Sequence, residues 1–180
     1  KSLDALCRAS AMTDLIDDRF TGDKHFWSAV VVDKPKNKKR LDLNIEKYKD
    51  EGTFSKSERI NHLQALTGIY PINMVVPVKA YQFFESHGIT PLSEYDPELG
   101  KGWCIPTEVV TRKTKSGKSY YQVTVIDSNM KTQRINCWGI DPKKDFVYTH
   151  KMYVLEWPQY NATWGFSTRG GLSRNWKLLG

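Results

Sequence analysis

The chain has only three cysteines, Cys7, Cys104 and Cys137, and none stands near another. An odd number at wide spacing excludes a disulfide framework and suits a reducing compartment, so a cytoplasmic location is expected. The four histidines, His25, His62, His87 and His150, are scattered as well. A structural zinc site needs clustered ligands, so neither a metal nor another cofactor is expected. No apolar run reaches the roughly 18 residues of a membrane span, and no charged-then-apolar leader opens the chain. No membrane partner is expected. The start at Lys1 rather than Met reads as a fragment or a processed product.

Catalytic motifs are missing too. There is no nucleophile elbow, no phosphate-binding P-loop and no zinc-protease helix. Asp17 and Asp18 are adjacent, so on a strand they would point to opposite faces. Asp42 and Asn44 could sit together, but nothing else supports a metal site there, and they read as surface groups. No catalytic residue is assigned, and the expectation is a binding surface rather than an active site.

What the chain does have is positive charge and aromatic rings. Its 180 residues carry a net charge of +7, with six Trp, nine Tyr and seven Phe. The charge is uneven. Residues 1–100 hold 14 Lys/Arg against 15 Asp/Glu, whereas residues 101–180 hold 13 against 5. The whole surplus therefore sits in the last 80 residues, which points to a polyanionic partner for that part.

The pattern changes at about the same place. Residues 1–16 have helical spacing at Leu3, Leu6, Cys7, Ala11 and Leu15. A second short helix is expected within 19–32, capped by Thr21 or Asp23. The run Asp33 to Arg40 has a proline and no apolar period, so it reads as an exposed linker. Ser55 or Ser57 caps a helix running to Leu66 and stopped by Gly68 and Pro71, and Lys79 to His87 forms another, ended by Gly88. The loop 91–101 is taken as the boundary between a helical region, 1–100, and a β domain, 101–180. Beyond it, strands are expected at 104–114, 119–127, 134–138, 152–157 and 164–167, with turns at Lys115–Lys118 and Ser128-Asn129. About five strands opened by a meander predict an α+β chain whose second part is a small OB-type β-barrel.

Alternation places Tyr121, Val123, Val125, Ile135 and Cys137 on one face of two strands. Tyr120, Gln122, Thr124, Arg134, Asn136 and Trp138 fall on the other. Lys113, Lys115 and Lys118 flank the first turn, and Arg169 stands beside Gly170-Gly171. Single-strand binders need this mixture, because bases stack on aromatic faces while Lys and Arg follow the backbone. These ten residues are the candidate nucleic-acid site. Trp157, Trp164 and Trp176 can be read either way, with core packing as the default.

Three segments resemble one family. Thr114-Lys115-Ser116-Gly117-Lys118, followed by the alternating strand Ser119 to Asp127, is similar to the signature of the OB domain in bacterial C-family replicative DNA polymerases, the polymerase III alpha subunits. Leu66-Thr67-Gly68-Ile69-Tyr70-Pro71 is similar to the stretch that precedes that domain. Lys1 to Leu15, with Leu3-Asp4-Ala5-Leu6 and Ala9-Ser10-Ala11, is similar to the end of the family's helix-hairpin-helix region. The order matches, and the resemblance spans residues 1 to about 140. It implies the non-catalytic C-terminal part of a polymerase whose nucleotidyl-transfer carboxylates lie far upstream. The OB domain would hold single-stranded template, and the partners would be single-stranded DNA and the remainder of a polymerase or replisome.

The sequence departs from the family at Ser10, where a Gly is usual, and at Tyr70, where a His is usual. No clear sliding-clamp peptide stands between Leu15 and Ser57, so the clamp is only a possible partner. After Asp141 the resemblance fades. Such departures suit a bacteriophage or mobile-element polymerase. Two other readings of the residues stay open: a stand-alone OB protein for single-stranded DNA or tRNA, and a protein-interaction module.

Overall fold

The helix expected over residues 1–16 stops at Arg8. Ser10 takes a left-handed backbone (φ 53°) and its hydroxyl donates to Asp23 Oδ2 at 2.7 Å, so the chain turns away instead of continuing. The computed structural model describes residues 2–179 and divides the chain into two units, Lys1–Pro71 and Ile72–Gly180. The loop 91–101, expected to separate the domains, lies inside the second unit.

The first unit contains α1 (Ser2–Arg8), α2 (Asp23–Phe26), α3 (Lys38–Tyr48) and α4 (Lys56–Thr67). α2 runs on into a π-helical turn, Trp27–Val32, closed by Asp33 N donating to Ser28 O. The buried Asn44 amide donates to the Ala29 and Asp33 carbonyls around this turn. α3 is a helix that patterning missed. Asn37 caps it by accepting from Arg40 N at 2.9 Å, so Lys38, Lys39 and Arg40 of the expected linker form its first turn. α4 starts and stops as expected, with a reciprocal Ser55–Glu58 capping box and Gly68 at φ 74°. Lys24 Nζ donates to Glu58 Oε1 at 2.7 Å and, with the cap, holds the Glu58 carboxyl down to about 2.

The second unit contains α5 (Val78–Ser86), β1 (Thr90–Pro91), β2 (Lys101–Lys113), β3 (Ser119–Ile126), β4 (Thr132–Trp138), β5 (Met152–Glu156), β6 (Gln159–Asn161), β7 (Gly165–Arg169), α6 (Leu172–Asn175) and β8 (Trp176–Leu179). The strands form one curled sheet in the order β6-β7-β4-β3-β2-β5-β8, with β1 beside β2. The fold is therefore α+β, with eight strands among the described residues where five were expected. β1, β6 and β8 are two to four residues long, too short to leave an alternation in the sequence.

β2 bends the sheet. It pairs with β5 through Lys101–Cys104 and with β3 through Ile105–Lys113, and its register shifts between Pro106 and Glu108. Proline removes a ladder donor, and a bulge adds local twist, so one long strand serves both halves of the sheet. β4 pairs with β7 in parallel and β5 pairs with β8 antiparallel, while α6 links β7 to β8. The inner face buries Tyr121, Val123, Ile135, Cys137, Leu155 and Trp176. Phe84 of α5 stacks on Trp103 of β2, with centroids 4.7 Å apart and planes at 11°. Asp127, buried at the end of β3, accepts from Ser93 N (2.7 Å) and Asn129 N (3.0 Å), tying the β3–β4 turn to the loop before β2. No helix among the described residues is long and apolar enough to cross a membrane.

Burial holds the His62 and His150 imidazoles below the ordinary value of 6.5, with Arg8 adding to the effect at His62. Below that value the unfolded chain binds protons that these two sites refuse, so stability falls as pH drops through it. Glu58 and the other lowered carboxylates act in a separate window, below about pH 4.5. The expected result is a lower thermal midpoint at pH 5.5 than at pH 7.5, with the difference reduced in a His62→Gln/His150→Gln variant. A midpoint equal or higher at pH 5.5 would contradict this.

Candidate nucleic-acid interface

On β3 and β4 Tyr121, Val123, Ile135 and Cys137 go inward and Tyr120, Gln122, Arg134 and Trp138 do not, as expected; Asn136, expected on the outer face, is buried all the same. Strand register arranges the outer side chains in rows. The Tyr120 ring stacks on Trp138, which lies beside Arg169 of β7. The next row runs Gln122, Asn136, Ser167 and Gln159 across β3, β4, β7 and β6. The third begins Thr124, Arg134 and reaches Gly165, where an added Cβ would stand 3.0 Å from the Arg134 carbonyl oxygen. A side chain at Gly165, also at φ 74°, would narrow the gap between β4 and β7.

Thr124 apart, these rows floor a groove of about 850 Å³. Six of the ten sequence candidates line it: Tyr120, Gln122, Arg134, Asn136, Trp138 and Arg169. Its lining includes two arginines and no carboxylate. Gln122 Nε2 donates to Asn136 Oδ1 at 3.4 Å, and Asn136 Nδ2 donates to the Trp164 carbonyl at 3.4 Å. Both bonds are long, and Asn136, which takes part in both, is buried. The Tyr120 and Trp138 rings stack on each other at 4.3 Å and 29°. Each therefore offers one outer face rather than two.

The other four candidates lie elsewhere. Lys118 lines a notch that shares Trp138 with the groove and continues along Gly139–Pro142. Lys113 and Lys115 are exposed at the β2–β3 turn and do not line the groove. Thr124 does not line it either; its hydroxyl donates to Glu108 Oε2 at 3.3 Å, which places a carboxylate beside it. The turn itself is well determined. Thr114 N donates to Lys118 O, Lys118 N donates to Thr114 Oγ1, and Gly117 takes φ 80°. The two lysines thus project from a fixed hairpin rather than a loose loop.

The groove also includes residues that patterning passed over. Tyr160 and Trp164, 64% and 73% exposed, rise from the β6–β7 hairpin along its far wall. Asn161 Oδ1 accepts from Thr163 N (2.8 Å) and Trp164 N (3.2 Å), a side-chain turn that holds Trp164 at the hairpin tip. Of Trp157, Trp164 and Trp176, only Trp176 is buried; Trp157 is 62% exposed. Core packing was only the default for large apolar rings; Trp164 stands at a hairpin tip, and Trp157 lies with one side of its ring against Gly100 and the rest exposed. The usable signal was the short aromatic-turn-aromatic sequence Tyr160-Asn161-Ala162-Thr163-Trp164 closed by Gly165.

Chemistry is sparse here. All three thiols are buried, and burial pushes Cys137 up to about 12, so they pack rather than react. Among the described residues no group of three or more His, Cys, Asp or Glu could hold a metal ion. No protein-family model matches the chain, and no curated protein matches it.

Proposed function

We propose that this chain binds single-stranded nucleic acid in the groove of β3, β4, β7 and β6 and carries out no chemistry there. One observation carries the reading: four aromatic rings, two arginines and a row of amides line one groove that holds no carboxylate. Aromatic faces take bases, guanidinium groups take phosphates, and the amides bond to either.

We read the second unit as an OB-type barrel. β2, β3, β4 and β5 would be its first four strands, and β7 with β8, interrupted by α6, its fifth. The parallel β4–β7 pairing and the antiparallel β5–β8 pairing support this, since one stretch of chain then joins both edges. β1 and β6 are additions. The setting we propose is the C-terminal, DNA-binding part of a C-family replicative DNA polymerase. It rests on the resemblance of Thr114–Asp127, which includes the strand supplying Tyr120 and Gln122. Co-purification of a polymerase with this chain supports that setting, and a chain that purifies alone favours a stand-alone binder.

The direct test is fluorescence anisotropy of a labelled dT oligomer at several salt concentrations. Arg134, Arg169 and Lys118 predict a log–log salt slope of roughly −2, at about −0.7 per phosphate neutralised. Lys118→Ala should weaken binding modestly and flatten that slope, whereas Lys115→Ala, outside the groove, should change both less. An apolar peptide interface would respond little to salt. No binding at low salt would refute the proposal.

A further inference from the structure

The groove does not end at Arg134. Beyond it the second unit opens another pocket, of about 420 Å³. Arg134, Tyr160 and Gly165 line both, so the two are continuous. Leu92 and Phe166 give the pocket an apolar floor, both being almost fully buried. Tyr95 stands edge-on to Phe166 at 5.7 Å, and Tyr160 is tilted against the same ring at 5.0 Å. Gln133 adds an amide to the lining. By strand alternation it belongs with Ile135 and Cys137, so this pocket enters the end of the curled sheet rather than its outer face. Ser93 Oγ accepts from Asn129 Nδ2 at 2.9 Å and keeps its own proton to donate.

We infer that this pocket receives one unstacked nucleobase of the strand held in the groove. The inference rests on the strand-binding reading above and adds to it a subsite of stated chemistry. The volume falls near the small end of the roughly 300–1,000 Å³ range of small-ligand sites, which suits a base with its sugar. Two tyrosine rings offer π faces, and Gln133 and Ser93 offer donors and an acceptor to a base edge. Arg134 stands at the threshold, where the phosphate joining that nucleotide to its neighbour would cross. No carboxylate lines the pocket, so a polyanion meets no fixed negative charge on entering. Aromatic walls with a nearby proline also suit a proline-rich peptide. The arginine shared with the basic groove favours the strand.

The test is an abasic walk: a dT oligomer in which one base at a time is removed, titrated with the full chain by anisotropy. One position should lose about 10-fold in affinity, within the range for a single stacked base. In Gln133→Trp, whose ring fills the pocket, that position should become indifferent to base removal, while losses at positions stacked in the groove persist. Pro97→Trp fills the same pocket from an exposed loop position and replaces the first variant if that one does not fold. An oligomer that binds with no position sensitive to either filling variant overturns the inference and leaves strand binding standing. Binding of a fluorescent proline-rich peptide that is lost in the filling variants, with no abasic effect, assigns the pocket to peptide and also overturns it. A chain that binds no oligomer removes both readings together.

Discussion

Changing Trp138 and Trp164 together to alanine should lower affinity for a dT oligomer by about 100-fold or more, since each stacked base is worth roughly 1–3 kcal/mol. The two rings are not equivalent. Trp164 is 73% exposed at a hairpin tip, so its removal leaves the inner core untouched and the loss reports on the ligand. Trp138 is half-buried and stacked on Tyr120 at 4.3 Å. Its removal uncovers the Tyr120 ring, which then presents a face to the same space. Trp138→Ala alone should therefore lose less than Trp164→Ala alone, and Tyr120→Ala with Trp138→Ala more than the two singles combined. Anisotropy at fixed salt reads the affinities, and circular dichroism melts show that each variant remains folded. A double variant within threefold of the native chain would remove stacking as the basis of the site.

Asp23→Ala should destabilise the first unit by about 3–5 kcal/mol, the usual loss when one partner of a buried charge network is removed. Asp23 is 1% exposed and joins three separate parts of the unit. Its carboxylate accepts from Ser10 Oγ at 2.7 Å, Phe54 N at 3.0 Å and an Arg59 guanidinium nitrogen at 3.3 Å. Alanine would leave a buried backbone N–H without an acceptor and a partly buried guanidinium without its carboxylate. Asn in its place keeps an acceptor for Phe54 but loses the charge, so Asp23→Asn should fall between. Small domains have only about 5–15 kcal/mol of total stability, so the loss is large for a unit of this size. Hydrogen exchange read by mass spectrometry checks it: peptides from residues 1–71 should lose protection in Asp23→Ala. Unchanged protection there would show that the network is not holding the unit together.

The parts of the molecule that followed local rules were legible in advance. The Ser55–Glu58 cap and Gly68 marked both ends of α4, because capping is decided by residues three or four positions apart. The inward and outward sets on β3 and β4 followed from a period of two, and these put Tyr120, Gln122, Arg134, Asn136 and Trp138 on one face. α3 was not legible, since Lys38, Lys39 and Arg40 carry no apolar period and the helix is held by one asparagine cap and the buried Asn44. β6 and β8 were not legible either, because strands of three or four residues are stabilised by their neighbours rather than by their own pattern.

Charge distribution, face alternation and helix caps are properties of residues close together along the chain, and the amino-acid order settles them: a basic second part, an aromatic polar face, and the ends of α4 and α5. Which residues complete the groove depends on contacts between segments far apart in sequence. Tyr160 and Trp164 reach Arg134 and Asn136 only because β7 pairs in parallel with β4, and Thr124 leaves the groove because Glu108 faces it across β2 and β3. Such pairings are chosen by burial of the whole sheet, a sum over many distant side chains, and no short stretch of the chain carries that sum.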